Sequence, residues 1–405
     1  MPSATDQVVE SLLDTGAVQQ AFKFFESHAD AITAQQIEIN SIAAPPFGET
    51  KRAEYLHQKF CALGLIDARL DDEGNCVALR PGISDTPLLV VSAHLDTVFP
   101  IDTDITPRRV GAKLFAPGIA DDACGLAALI AMVEALQSCE IQTTGSILFV
   151  GTVGEEGEGN LRGVKHLFTK SEWAGRVGAF ISFDGAGLDR ITNGALSSHR
   201  YRVQFRGAGG HSWSDFGIAN PVHALGRAIA KLASYPAPNE PRTTFNVGRI
   251  EGGQSVNAIP CEASMDVDLR SVSADELLKL DAFFRRSVRE AADEENSTRR
   301  KGEQPLALVT ELIGERPGGE TPVETPLVQL AWAATEAVGG KPVLDRASTD
   351  SNLPISLNIP AITLGAGGTS ANSHTPDEWY DPKGRANALE RALLVILGMV
   401  GLHKR

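Results

Sequence analysis

The chain has 405 residues, of which 42% are hydrophobic and 22% charged, a composition typical of globular proteins. This length exceeds that of an ordinary single domain, so two domains are expected. The formal net charge of −14 argues against nucleic acid or an anionic membrane surface as a partner, because both repel an acidic protein.

The N-terminal stretch lacks the pattern of an exported or membrane-anchored chain. "MPSATDQVVESLLDTG" carries acidic residues and no basic region before an apolar stretch, so a secretory signal is not expected. No apolar run approaches the ~18 residues that a membrane helix requires. The cysteines are scattered without a C-x-x-C pair, which favours free thiols in a reducing cytoplasm. They are Cys61, Cys76, Cys124, Cys139 and Cys261.

The first half of the chain alternates between helix and strand patterns. Helices are predicted over 19–40, 49–63 and 124–137. Strands are predicted over 65–70, 76–80, 87–98, 145–153 and 178–187. This alternation predicts an α/β domain with a largely parallel sheet.

A different pattern occupies residues 196–305. "HRYRVQFRG" (199–207) alternates polar and apolar residues, and Asn220 with Pro221 then predicts the start of a helix. Two further strands and a charged helix are predicted over 243–253, 261–270 and 274–300. The order predicts a small α+β domain whose exposed sheet edge can pair with a second copy.

The first pattern resumes after residue 305, with predicted helices over 326–340 and 386–402 and a strand over 359–368. The predicted fold class is therefore α/β, with a discontinuous mixed, largely parallel sheet flanked by helices (1–195 and 306–405). The α+β domain (196–305) is inserted into it.

Side chains of the metal-ligand type recur where predicted strands end, and the carboxyl ends of strands in an open α/β sheet gather ligands. His94 and Asp96 in "SAHLDT" are two residues apart, so they point the same way and the carboxylate can orient the imidazole. The other such residues are Asp121, Asp122, Glu155, Glu156, Asp184 and His374. Imidazoles and carboxylates at several strand ends predict a paired Zn²⁺ site.

Two adjacent glutamates, Glu155 and Glu156, lie in the glycine-rich "GTVGEEGEGNLRG" (151–163). Like charges this close are unfavourable unless a positive group lies nearby, and metal ions can supply it. One glutamate can then bind metal while the other takes a proton from water. Spacing alone does not decide which glutamate is the base. It also leaves open which member of the Asp121–Asp122 pair bridges two ions and which is an N-cap.

Two further acidic residues receive less specific interpretations. Glu158, in the same glycine-rich stretch, has no assigned role. Asp350 in "ASTDSNLP" is interpreted either as a site residue or as a loop cap.

In combination, H-x-D, G-x-x-D-D, E-E, a further D and a late S-H resemble the M20 family of metallopeptidases and amidohydrolases. That family includes glutamate carboxypeptidase, peptidase T, aminoacylase and succinyl-diaminopimelate desuccinylase. The resemblance runs from "SIAAPPFGETKRAEYL" to "SHTPDEWYDP", nearly the whole chain. It implies a fold of the zinc-exopeptidase type, an inserted lid or dimerisation domain and a homodimer.

The resemblance also implies a ligand set for two zinc ions. His94 and Asp184 would bind one ion, Glu156 and His374 the other, and Asp121 would bridge both. Some members, such as the aminoacylases, carry glutamate at the position of Asp184, so the aspartate favours the peptidase-like branch. Mn²⁺ or Co²⁺ would also suit a site rich in carboxylates, because affinity alone does not fix the metal.

Catalytic roles follow from the same resemblance. Glu155 would be the general base and Asp96 would support His94. His211 in "GAGGHSW" would reach the active site of a partner subunit and polarise the scissile carbonyl.

Two residues, Asn257 and Arg270, match positions that hold substrate in the family. A guanidinium suits a substrate carboxylate, because its fork binds both oxygens. The alternative for Arg270 is a salt bridge with Asp266 or Asp268 on the same strand face. Gly368, in "GGTS" (367–370), would offer a backbone N–H group to the carboxylate.

The expected activity is hydrolysis of an amide bond in small peptides by an exopeptidase. The alternative keeps the same site but cleaves N-acyl or N-carbamoyl amino acids. A related di-zinc aminopeptidase fold without an insertion conflicts with the pattern over 199–300. The interpretation as a binding or scaffold protein that has lost catalysis is disfavoured, because every expected metal ligand and the general base are present.

Overall fold

The protein is described by a computed structural model covering residues 4–403. Its helices, in chain order, are α1 (Ala4–Leu13), α2 (Gly16–Ser27), α3 (Ala29–Asn40), α4 (Thr50–Ala62), α5 (Ala123–Ser138), α6 (Arg162–Thr169), α7 (Pro221–Ala233), α8 (Ala274–Thr298), α9 (Pro326–Ala337), α10 (Asn352–Ser356) and α11 (Arg385–Val400). The predicted helix over 19–40 is two helices, α2 and α3, which meet at His28.

The strands, in chain order, are β1 (Ile66–Leu70), β2 (Cys76–Arg80), β3 (Leu88–His94), β4 (Arg108–Val110), β5 (Lys113–Phe115), β6 (Ser146–Thr152), β7 (Ala179–Phe183), β8 (Arg190–Ala195), β9 (Ser197–Arg206), β10 (Gly210–His211), β11 (Thr243–Gly252), β12 (Ala258–Ile259), β13 (Glu262–Ser271), β14 (Ala307–Arg316), β15 (Gly319–Glu320), β16 (Val343–Ala347), β17 (Ala361–Leu364), β18 (Thr369–Ala371) and β19 (Trp379–Asp381).

The chain folds as two compact units, one running to Ala195 and resuming at Glu320, the other spanning Leu196–Gly319. The second boundary lies at residue 319 rather than at 305, where the sequence pattern placed it. The physical reason is β14, which pairs with β9 and so belongs to the sheet of the second unit.

The central sheet has nine strands in the order β1-β2-β6-β3-β7-β17-β8-β15, with β16 also paired to β8. Neighbours among β6, β3, β7 and β17 are parallel, while β1, β2 and β8 add antiparallel pairs. The predicted mixed, largely parallel α/β fold is therefore confirmed. The four parallel strands end at one edge of the sheet, which becomes the candidate site.

Helix α5 is apolar on nearly every face because it is buried on nearly every face. It begins directly after the Asp121–Asp122 pair, whose connecting peptide is cis. A smaller sheet, ordered β18-β19-β5-β4, joins the segment before α5 to the segment around His374.

The second unit is an antiparallel sheet, ordered β11-β13-β9-β14, with α7 and α8 packed against it around a core that includes Tyr201, Leu269 and Phe284. Asn220 caps α7 by accepting hydrogen bonds from Val222 and His223. Strands β11 and β14 form the two edges of this sheet, and β10 pairs with β12 in a separate short ribbon.

No helix within residues 4–403 is both long enough and apolar enough to cross a membrane.

Candidate metal centre

Three ends of parallel strands bring acidic and imidazole side chains to the same edge of the first unit's sheet. His94 is the last residue of β3, the two glutamates follow β6, and Asp184 directly follows β7. Because β6, β3 and β7 are parallel neighbours, side chains far apart in sequence meet there.

Asp121 lies between two histidines. Its Oδ1 is 2.9 Å from His94 Nε2, and its Oδ2 is 3.1 Å from His374 Nε2. The same His374 nitrogen lies 2.8 Å from Glu156 Oε1. The two oxygens of Asp121 therefore face different imidazoles.

Asp96 organises both sides of this group. Its backbone oxygen lies 3.0 Å from His94 Nδ1, whereas its carboxylate is 3.7 Å from that nitrogen. The carboxylate is fully buried and accepts hydrogen bonds from the backbone N–H groups of Glu155 (3.0 Å) and Glu156 (2.8 Å). Asp96 thus orients the imidazole through its carbonyl group and fixes the doubled glutamate through its side chain.

Asp122 has a different environment from its neighbour. Its Oδ1 accepts hydrogen bonds from the N–H groups of Gly125 (3.1 Å) and Gly185 (3.2 Å), and its Oδ2 accepts one from His94 N (3.2 Å). It is the N-cap of α5. Its oxygens are engaged by backbone amides, while those of Asp121 face side chains.

The electrostatics of the site link the histidines to the carboxylates. Although burial opposes the change, hydrogen bonds from His374 and His94 hold the pKa of Asp121 below its usual value. Hydrogen bonds to Asp121 and Glu156 raise the pKa of His374 to about 10. Burial, reinforced by the charge of Asp121, raises the pKa of Asp184 to about 6. The arrangement favours a positive group among these carboxylates.

The donor atoms are close enough for metal ions. One ligand atom each from His94, Asp121 and Glu156 lies within 4.8 Å of the others, and the same holds for His94, Asp122 and Asp184. Imidazole nitrogen and carboxylate oxygen are the ligand types that Zn²⁺ accepts. The residues present therefore fit a metal centre with His94 at the junction of two groups.

The segment that carries His374 has a constrained backbone. His374 has φ +66° and Asn372 has φ +62°, values that residues other than glycine rarely adopt. Such strain is found preferentially at functional sites, where the surrounding structure maintains it.

The loop that carries the two glutamates is held by a residue the sequence did not indicate. Arg162 donates to both carboxylate oxygens of Glu49 (2.8 Å each) and to the backbone oxygen of Glu73 (2.8 Å). Its side chain packs over Gly154, where an added Cβ atom would lie 2.7 Å from Arg162 Cγ. Glu49 is buried, and its bond to Arg162 joins positions 113 residues apart in sequence.

Replacing Arg162 with methionine is expected to lower the free energy of unfolding by about 3 kcal/mol, because it leaves Glu49 buried without its counter-charge. Denaturant unfolding of the full chain measures this. The matched control is Arg69→Met, which removes an exposed ion pair with Glu172 and should change stability by less than about 1 kcal/mol. Equal unfolding midpoints for the two variants would contradict the stabilising role of the Arg162–Glu49 pair. Adding Glu49→Leu to Arg162→Met should recover part of the lost stability, because it removes the buried charge.

In the second unit, the short ribbon brings His211 and Asn257 together. The Asn257 backbone oxygen accepts a hydrogen bond from Ser212 N (3.0 Å), directly after His211. The exposed His211 ring accepts at Nδ1 from the N–H groups of Trp213 (3.2 Å) and Ser214 (3.4 Å). This leaves the ring proton on Nε2, so the imidazole presents a donor.

Arg270 lies near the C-terminal end of β13, away from that ribbon. Its Nε donates to Asp268 Oδ2 at 2.6 Å, so the salt bridge considered as its alternative role is present. Asp268 also accepts from Arg200 Nε (3.2 Å), and the Arg270 side chain remains 38% exposed.

Gly368 and Asp350 lie in the first unit. Gly368 has φ +68°, and a Cβ atom there would lie 2.5 Å from both Asp381 O and Tyr380 Oη, so only glycine fits. Asp350 is buried and accepts a hydrogen bond from the Thr152 hydroxyl (2.5 Å) at the end of β6. Asp350 thus contacts the strand that leads into the glutamate pair.

Most of the chain matches a known protein family. The sequence profile of Peptidase family M20/M25/M40 matches residues 90–400, more than half of the chain. A succinyl-diaminopimelate desuccinylase of Leptothrix cholodnii is 32% identical over 226 residues, which are 51% of this chain and 57% of that protein. The match therefore spans little more than half of that curated relative.

Two solved structures share the fold. Aminopeptidase PepT from Bacillus cereus superposes with a TM-score of 0.73 at 22% identity, covering 92% of this chain and 98% of that one. The YXEP protein of Bacillus subtilis, described as a dinuclear metal binding peptidase, gives a TM-score of 0.66 at 16% identity, covering 93% and 99%.

Proposed function

The chain belongs to peptidase family M20/M25/M40, and from this membership we propose that it is a di-metal hydrolase that cleaves an amide bond in small peptides. The single observation that supports this most is the position of Asp121. One of its oxygens faces His94 and the other faces His374, which is the arrangement expected of a carboxylate shared by two ions.

The proposed ligands are His94 and Asp184 for one ion, Glu156 and His374 for the other, and Asp121 for both. Zn²⁺ suits this set of imidazoles and carboxylates, and Mn²⁺ or Co²⁺ are alternatives. Two metal ions held by these residues would lower the pKa of a bound water molecule and polarise the substrate carbonyl.

Glu155 is proposed as the general base. Its backbone is anchored on Asp96 next to the ligand Glu156, and its side chain is buried in the same edge of the sheet. The Glu155 carboxylate takes a proton from water as the water oxygen attacks the carbonyl carbon. It then returns the proton to the leaving amine nitrogen as the amide bond breaks.

The inserted unit is proposed to contribute substrate contacts in a homodimer. His211, with its proton on Nε2, can donate a hydrogen bond to the carbonyl oxygen as negative charge develops there. Asn257 and Arg270 would bind the substrate, with the Arg270 guanidinium directed to a carboxylate. The exposed part of Arg270 is compatible with this, although binding would compete with Asp268.

A second candidate function is removal of an N-acyl group from an amino acid. The similarity to a succinyl-diaminopimelate desuccinylase favours it, and the same site would cleave the acyl amide bond.

We also propose a cytoplasmic location, which the five free cysteines support.

Metal removal combined with a substrate panel tests the proposed function. Chelation with EDTA is expected to abolish amide hydrolysis, and addition of Zn²⁺ should restore it, because the metal activates the water. The panel contains dipeptides, tripeptides, and N-succinyl and N-carbamoyl amino acids. Preference for the peptides supports the first candidate and preference for the acylated amino acids the second. Hydrolysis that survives complete metal removal would contradict both.

A further inference from the structure

Glu378 is a fully buried carboxylate outside the proposed ligand set. It lies four residues after His374 and directly before β19. Its Oε2 accepts a hydrogen bond from Gly118 N (2.9 Å), and its Oε1 accepts from Ala120 N (2.7 Å) and Asp121 N (3.0 Å). Three backbone N–H groups of one loop thus converge on a single carboxylate.

The loop is folded around Glu378 rather than merely touching it. The backbone oxygen of Glu378 also accepts a hydrogen bond from Ala116 N (3.1 Å), at the start of the same loop. Gly118 has φ +78°, and a Cβ atom there would lie 2.9 Å from Thr97 Cγ2. The N–H groups of Gly118, Ala120 and Asp121 in this turn form a concave site of the kind that suits an anionic group, and the Glu378 carboxyl group occupies it.

These contacts close a ring between two proposed ligands. Glu378 holds the backbone of Asp121, and the Asp121 carboxylate faces the His374 imidazole at 3.1 Å. The short segment from His374 to Glu378 completes the ring. The adjoining pairing of β19 with β5 continues the connection on the other side of the loop.

We propose that Glu378 is a positioning residue that sets the affinity of the metal centre by fixing the loop of Asp121 relative to His374. This inference rests on the proposed function, since it assumes that Asp121 and His374 bind metal. It adds a residue that lies outside the proposed ligand set and acts through the loop of Asp121. Partners of this kind typically contribute about 10–100-fold to metal affinity.

Replacing Glu378 with glutamine tests the proposal. Glutamine keeps the size of the side chain but turns one acceptor into an NH₂ group, which must then face the N–H of Gly118 or those of Ala120 and Asp121. Zn²⁺ titration of the metal-free full chain, followed by calorimetry or competition with a chromophoric chelator, should show about 10–100-fold weaker binding. Far-UV circular dichroism verifies that the variant is folded.

A matched control separates positioning from general stability. Glu295 in the second unit is also buried and accepts a backbone hydrogen bond, from Asn220 N at 2.9 Å. Glu295→Gln should lower the unfolding midpoint while leaving Zn²⁺ affinity unchanged. If Glu378→Gln fails to fold, Gly118→Ala moves the same loop from its other side, and it should also weaken Zn²⁺ binding.

The outcomes are distinguishable. A wild-type chain that takes up Zn²⁺, with Glu378→Gln binding as tightly, overturns this inference alone. The inference is likewise overturned if Glu378→Gln does not fold and Gly118→Ala binds Zn²⁺ like the wild type. A wild-type chain that takes up no Zn²⁺, Mn²⁺ or Co²⁺ overturns the proposed function and this inference together.

Discussion

Replacing Glu155 with glutamine is expected to lower kcat by about 10²–10⁴-fold, the usual contribution of a general acid–base residue, while bound metal stays constant. Glutamine matches glutamate in size, and the hydrogen bond from the residue 155 N–H to Asp96 does not depend on the side chain. The variant loses the ability to take up and return a proton. Steady-state kinetics together with elemental analysis of the purified protein measures both quantities.

Glu158→Gln is the matched control, because it makes the same chemical change in an exposed position of the same loop. It should leave kcat, KM and metal content unchanged. Near-normal turnover by Glu155→Gln would show that another group takes the proton. Loss of metal from this variant would instead indicate that Glu155 is a ligand.

The elements that position the site were predictable from local patterns. The runs ending at His94, before Glu155 and before Asp184 are short and apolar, as buried parallel strands are, and the polar residues that follow them mark the strand ends. Parallel strands place those ends at one edge of the sheet, so the sequence alone predicts that these polar side chains lie close together.

The interactions that hold the site were not predictable in this way. Glu378 binds a loop 257 residues earlier in the chain, and Arg162 pairs with Glu49, 113 residues earlier. No local pattern encodes such a pairing, because the partner is selected by the tertiary fold. The predicted boundary of the inserted unit differs from the observed one for a similar reason. Strand β14 belongs to the inserted unit because it pairs with β9, and its own sequence does not indicate this.

Asp121→Asn is expected to weaken metal binding by more than about 100-fold, beyond the effect of an outer partner, and to abolish hydrolysis with it. An asparagine side chain has one oxygen, and its NH₂ group can only donate. It can therefore bind one metal ion through its oxygen, but it cannot bridge two ions. Zn²⁺ titration of the metal-free chain should show at least one weakened site.

The comparison with Asp122→Asn resolves which member of the pair binds metal, a question that spacing left open. Asp122 lies within ligand distance of His94 and Asp184, so geometry alone admits it. Its oxygens, however, accept hydrogen bonds from the N–H groups of His94, Gly125 and Gly185. Asp122→Asn places an NH₂ group against those donors. It should lower the unfolding midpoint, and it should weaken Zn²⁺ binding less than Asp121→Asn does. If Asp122→Asn loses metal while Asp121→Asn retains it, the bridging role belongs to Asp122.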